Sequence, residues 1–172
     1  MSARNRKIFT DAEIRFLGEL LRARVEFMVV GLSAAALQGA PVVTQDVDLW
    51  FRNLADPGIK KALKAVRGNY VPPTGSMPPA FAGDGVDLFD IVVHMHGLGA
   101  FEEEMNHTLK MPLGRLRIPV LRLERILESK RALGRPKDQL YLRVLADSLK
   151  ALGRKKGLST KPVRKPRPRK IR

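Results

Sequence analysis

Apolar side chains recur at Ile14, Leu17, Leu20, Leu21 and Val25, the three-and-four spacing of one helix face, with Arg15, Arg22 and Arg24 on the solvated side. Thr10 and Glu13 stand at capping-box spacing, so a helix is predicted over 10–24. The period then changes. Phe27 to Val30 is an apolar run of strand length, followed by a Gly31-Leu32-Ser33 turn, a short Ala-rich helix that ends at Gly39-Ala40-Pro41, and a second strand reaching Phe51. Strand alternation puts Asp46 and Asp48 on one face of that second strand and Val47, Leu49 and Phe51 on the other.

Asp56 followed by Pro57 opens a helix to about Arg67, with Ile59, Leu63 and Val66 inward. Residues 68–85 hold Pro72, Pro73, Pro78 and Pro79 and read, after a short strand start at Tyr70, as a loop near the site. Val86 to Val93 is the third clear strand, and 100–109 a helix. Residues 113–121 read as an edge strand and 122–133 as a helix. A last helix spans 136–152, with Leu140, Val144, Leu145 and Leu149 inward. Three to five strands among about six helices predict an α+β domain, a small mixed β-sheet flanked by helices.

Composition adds a boundary. The formal net charge of +15 is concentrated at one end: ten of the 32 Lys and Arg lie in 153–172, where there is no acid, which leaves 22 against 17 acids over 1–152. The chain therefore divides into a mildly basic domain, 1–152, and a Lys/Arg/Pro-rich tail, 153–172, too poor in apolar residues to order itself and expected to be disordered. Such a tail neutralises phosphates without reading sequence, which makes nucleic acid its expected partner, although a purely solubilising extension has the same composition. It carries no aromatic residue, so base stacking is not expected there. Without cysteine the chain has no disulfide, thiolate zinc site or cysteine nucleophile. No apolar run approaches the roughly 20 residues of a membrane span, and the first residues lack the apolar core of a signal peptide, so the expected compartment is the cytoplasm, with no membrane partner.

Chemistry gathers at the second strand. Two carboxylates side by side repel unless a cation sits between them, and oxygen ligands of this kind suit magnesium. A third acid would come from the strand Val86–Val93, which offers Asp87 and Asp90; three apart, they face opposite sides, so only one can serve. Gly31 lets the backbone approach a ligand, and Ser33 can cap the following helix or donate to a phosphate oxygen. His94 and His96 share a strand face and read as polar strand-end residues more readily than as metal ligands. Arg115 and Arg117 alternate along a strand, where they discourage edge pairing or touch a nucleic acid.

Val29-Val30-Gly31-Leu32-Ser33, followed after twelve residues by Asp46-Val47-Asp48-Leu49, resembles the signature of the polymerase-β-like nucleotidyltransferase superfamily, above all its minimal nucleotidyltransferases and the AbiEii-type toxins of toxin–antitoxin systems. The block from Leu127 through Lys130 and Arg135 to Asp138 is similar to the second motif of those proteins. The resemblance implies a Mg²⁺-dependent transfer of an NMP from an NTP to a hydroxyl on RNA (a tRNA end, for example), on a protein or on a small molecule. It implies Asp46, Asp48 and Asp87 as ligands of two Mg²⁺ ions, Gly31 and Ser33 on the triphosphate, Lys130 and Arg135 on the NTP, and Asp138 orienting Lys130 or the base. It also implies an antitoxin as a potential partner. Leu32 departs from the Gly-Gly or adjacent Gly-Ser of many relatives. The competing reading is a non-catalytic, basic nucleic-acid-binding protein built on the same fold, whose binding would survive loss of the aspartates.

Overall fold

The structure, a computed structural model, describes residues 9–159. Helix α1 (Asp11–Arg22) starts as predicted: the Thr10 hydroxyl accepts from the Glu13 N–H at 3.2 Å and the Glu13 carboxylate accepts from the Thr10 N–H at 2.7 Å. Strand β1 (Phe27–Val29), helix α2 (Gly31–Leu37) and strand β2 (Val47–Phe51) follow. Helix α3 (Pro57–Ala65) is capped by Asp56, whose carboxylate accepts from the Gly58 N–H at 2.7 Å.

Strand β3 (Asn69–Val71) takes up the short strand start predicted at Tyr70, and β4 (Ala80–Ala82) lies in the stretch predicted as a loop. The packing of one residue overrides the proline signals: Phe81 is buried, 5.5 Å from Phe16 and 5.9 Å from Phe51 between ring centres. This stretch stands at one end of the sheet and contributes nothing to the acidic cleft described below. Strand β5 (Phe89–Val92) is shorter than predicted and leaves Asp87 in the preceding turn.

Helix α4 (Phe101–Met105) stops early because the Thr108 hydroxyl donates to the Met105 carbonyl at 2.9 Å, and β6 (Thr108–Leu113) begins there. Strand β6 turns through Gly114, at φ 61°, into β7 (Leu116–Leu121), so the predicted edge strand is an inner one and β6 is the edge. Helix α5 (Leu123–Leu133) ends at Gly134 in the left-handed conformation that closes helices, at φ 60°. Helix α6 (Pro136–Ser159) runs past the predicted end at Leu152; residues 160–172 of the basic tail lie outside the described residues.

The sheet is mixed, in the order β3-β4-β5-β2-β1-β7-β6, and helices flank it as expected. Its two faces differ. Phe51 lies opposite Phe27, Leu49 opposite Val29, and Val47 opposite Phe89, so these side chains form one apolar face, covered by Phe16 of α1. Helix α3 packs beside α1. On the other face Asp48 lies opposite Asp90 and Trp50 opposite Val92, and the Trp50 ring meets Phe101 of α4 edge-on at 5.6 Å. Helices α2, α5 and the start of α6 stand over that second face and enclose the acidic cleft. No helix among the described residues is long and apolar enough to cross a membrane.

Candidate active site

Strand alternation and one register place the acids. Asp46, immediately before β2, and Asp48 within it point to the same face, and the parallel pairing of β2 with β5 sets Asp90 directly beside Asp48. All three line a cleft of about 400 Å³. Asp87 does not. It is exposed in the turn before β5, and the register selects Asp90 as the third carboxylate on this face.

Gly31 admits Asp48 to the cleft. Its φ of +65° is one that an L side chain rarely adopts, and a Cβ there would stand 1.8 Å from Asp48 Oδ2. The close approach of α2 to β2 is secured by the Val30 N–H, which donates to the Asp48 carbonyl at 2.9 Å. Ser33, in contrast, is fully buried and donates to the Val30 carbonyl at 3.1 Å; its hydroxyl holds the first turn of α2 and does not reach the cleft. Leu32 lines the cleft instead.

The opposite wall comes from α5 and α6. Lys130 Nζ lies 2.6 Å from Asp138 Oδ1, and both residues line the cleft, with Arg135 exposed at its margin. Asp138 is 2% exposed, and its Oδ2 is a buried oxygen with no hydrogen-bond donor. Asp138 Oδ1 thus accepts a hydrogen bond from the Lys130 ammonium across the junction of α5 and α6. His94 and His96 also line this cleft, with their rings 5.2 Å apart. Arg115 and Arg117 are exposed on the β6–β7 hairpin and do not line it.

The electrostatics are dominated by burial and by the mutual repulsion of the acids. Burial pushes the Asp48 carboxyl up to about 6, the neighbouring Asp90 charge pushes the same way, Lys130 pulls against both, and Asp46 adds a smaller push. Asp90 is raised by burial and then by Asp46. Among the described residues no group of three metal-ligating side chains is already gathered tightly enough to hold an ion. The donor set nevertheless fits a hard divalent cation in kind: carboxylate oxygens on one face, mutually repelling, in a partly desolvated cleft.

Two supports of this arrangement carry little signal in sequence. Gln38 donates to the Ala34 carbonyl at 3.0 Å and the Leu121 carbonyl at 2.8 Å and accepts from the Leu123 N–H at 3.0 Å, tying the end of α2 to the start of α5. Glu104, buried on α4, accepts from Arg125 Nε at 2.8 Å and from the Gly99 N–H at 3.0 Å, and the Arg125 hydrogen bonds hold its carboxyl below the usual range despite burial. Both are long-range contacts of ordinary polar residues, so nothing in the local sequence marks them.

In sequence the chain matches no known protein family and no curated protein. In structure it is similar to nucleotidyltransferases. Against the crystal structure of ANT(2'')-Ia in complex with adenylyl-2''-tobramycin, the TM-score is 0.55 at 12% identity, over 81% of this chain and 88% of that one. Against the solution structure of ANT(2'')-Ia, an antibiotic-resistance factor, it is 0.56 at 12% identity, over 86% and 92%. An antigenic nucleotidyltransferase-like protein from Paracoccidioides brasiliensis gives 0.52 at 18% identity, over 83% and 78%. At these identities the likeness is one of fold.

Proposed function

We propose that the cleft transfers a nucleoside monophosphate from an NTP to an acceptor hydroxyl, with Mg²⁺ held by Asp46, Asp48 and Asp90. The observation that carries this reading is the facing of two walls: three carboxylates in β2–β5 register on one, and the Lys130–Asp138 pair on the other. Bound there, Mg²⁺ would offset the carboxylate repulsion and the charge of the triphosphate. Lys130, held by Asp138, meets the phosphates, and Arg135 at the margin adds a second cation. The Asp138 oxygen left without a donor is free to accept one from the nucleotide. The acceptor oxygen attacks the α-phosphorus in line, the bond to pyrophosphate breaks, and Asp90, exposed at the cleft, takes up the hydroxyl proton. Positioning and charge stabilisation supply the rate. Gly31 serves by its missing side chain, which leaves Asp48 its place.

The acceptor could be RNA or a protein, as in a toxin of the AbiEii type with an antitoxin partner. The adenylyl-2''-tobramycin in complex with ANT(2'')-Ia favours the third class, a small molecule. The test offers each of the four α-labelled NTPs with Mg²⁺ to total RNA, to purified proteins and to tobramycin. Label should move to one class with the unaltered chain and to none with Asp48→Asn. No transfer to any class, together with no thermal stabilisation by NTP and Mg²⁺, would remove the reading.

A further inference from the structure

A second hollow lies away from the acidic cleft. An open groove of about 1050 Å³ runs between α3 and β3, and it shares no residue with the cleft. Its floor is apolar, built in part by Ile59 and Leu63, both almost fully buried. Along its wall stand Lys60 and Lys64, one turn apart on α3, and Arg67, just beyond the helix end. All three are exposed, and among the described residues none of them forms an ion pair, whereas Arg22, Arg52, Arg125, Lys130 and Lys150 each do. No carboxylate lines the groove; Asp56, at the head of α3, is committed to the Gly58 N–H. Arg67 also borders a smaller hollow that holds Asp11 and Asp84, without an ion pair to either.

The other wall supplies a flat ring. Tyr70 of β3 is half-buried, with its ring centre 6.4 Å from that of the buried Phe81, so the core holds the ring in place at the edge of the groove. Asn69, beside it, offers both a donor and an acceptor. A row of unpaired cations next to a fixed aromatic face is what a single strand of nucleic acid uses, phosphates on the cations and a base on the ring. An acidic peptide would need the cations but has no use for the ring.

We propose that the α3–β3 groove binds single-stranded RNA, with the backbone along Lys60, Lys64 and Arg67 and a base stacked on Tyr70. The site is separate from the cleft and does not depend on what the cleft catalyses. It is also distinct from the basic tail, which has no aromatic residue to stack a base.

The test is titration of a fluorescein-labelled single-stranded RNA with the full chain at several salt concentrations. Lys60→Ala, Lys64→Ala and Arg67→Gly should each flatten the dependence of log affinity on log salt by about 0.7, one phosphate contact apiece. Arg67→Gly is the cleanest of these, because Arg67 has a φ of 60° that glycine adopts without strain. Tyr70→Leu keeps the packing on Phe81 but loses the stacking face; it should weaken binding about tenfold at unchanged salt slope. Unaltered slopes and affinities in all four variants would place RNA binding elsewhere and overturn the proposal. Flattened slopes with no loss in Tyr70→Leu, and displacement of the RNA by poly-glutamate, would overturn it in favour of an acidic protein partner.

Discussion

The two faces of strand β2 are one residue out of step and serve opposite ends. On one, Val47, Leu49 and Phe51 meet Phe27, Val29 and Phe89 and are covered by α1, so every side chain finds an apolar neighbour. On the other, Asp46 and Asp48 face Asp90 with like charge across a partly desolvated cleft, and only Lys130 among the groups acting on Asp48 opposes the repulsion. The apolar face contributes stability; the acidic face costs some of it and, under the proposed function, supplies the chemistry. A five-residue strand carries both because its period is two, and slipping β2 by one residue would bury the aspartates and expose the core.

Activity should separate the faces most sharply. Under the proposed function, Asp90→Asn should lower transfer from an α-labelled NTP by about a hundredfold or more, and Asp87→Asn should leave it within about twofold. The pair tests the register argument directly. If Asp87→Asn were the damaging change, β5 would have to pair with β2 in another register. Stability should show the reverse asymmetry. Leu49→Ala, on the apolar face, should lower the unfolding free energy by about 2–5 kcal/mol in a denaturant titration while transfer below the melting transition continues.

That contrast also explains what was readable in the chain. Features fixed by a few neighbouring residues came through: the Thr10–Glu13 box, Asp56 before Pro57, and Asp46 and Asp48 on one face. What depended on a distant partner did not. Choosing Asp90 over Asp87 requires the β2–β5 register, which no local pattern encodes. Strand β4 stands where a loop was expected and β6 begins inside the helix expected over 100–109, because Phe81 is claimed by Phe16 and Phe51 and β6 is claimed by β7. Ser33 offered a phosphate donor on paper, and the first turn of α2 consumed it. Leu140 is the most instructive miss. Predicted to face inward, it is 77% exposed, because the buried stripe of α6 is keyed to Asp138 and continues through Leu145 and Leu149. A hydrophobic stripe that begins on a buried aspartate cannot be phased by hydrophobicity alone.

The Lys130–Asp138 pair lies between the two extremes, being both buried and charged. Lys130→Met should destabilise the fold by about 3 kcal/mol, because it leaves Asp138 with neither oxygen partnered. Adding Asp138→Asn should recover much of that loss, since an amide costs less to bury than a carboxylate. A double-mutant cycle on melting measures the coupling; equal losses in the single and double variants would mean the lysine contributes only its packing.

The smallest expected effect is a gain. Asp48 binds its proton more tightly in the folded chain, at about 6 against an ordinary 3.8, so folding is most favoured with respect to this group below pH 3.8, and that advantage disappears as pH rises through about 6. Above that range the native state carries a buried charge that the unfolded state keeps in water. Asp48→Asn removes the charge, so at neutral pH without divalent cations the variant should be more stable than the parent by about 1–2 kcal/mol, and its advantage should shrink as pH falls from 6 toward 4. Paired melts of the two chains across that range read the difference, which isolates Asp48 from the other titrating groups. Magnesium should narrow the same gap from the other side, by stabilising the parent and leaving the variant nearly unmoved. If the variant instead melted lower than the parent at neutral pH without magnesium, the carboxylate would be making a favourable contact in the cleft, and the acidic face would no longer be the costly side of β2.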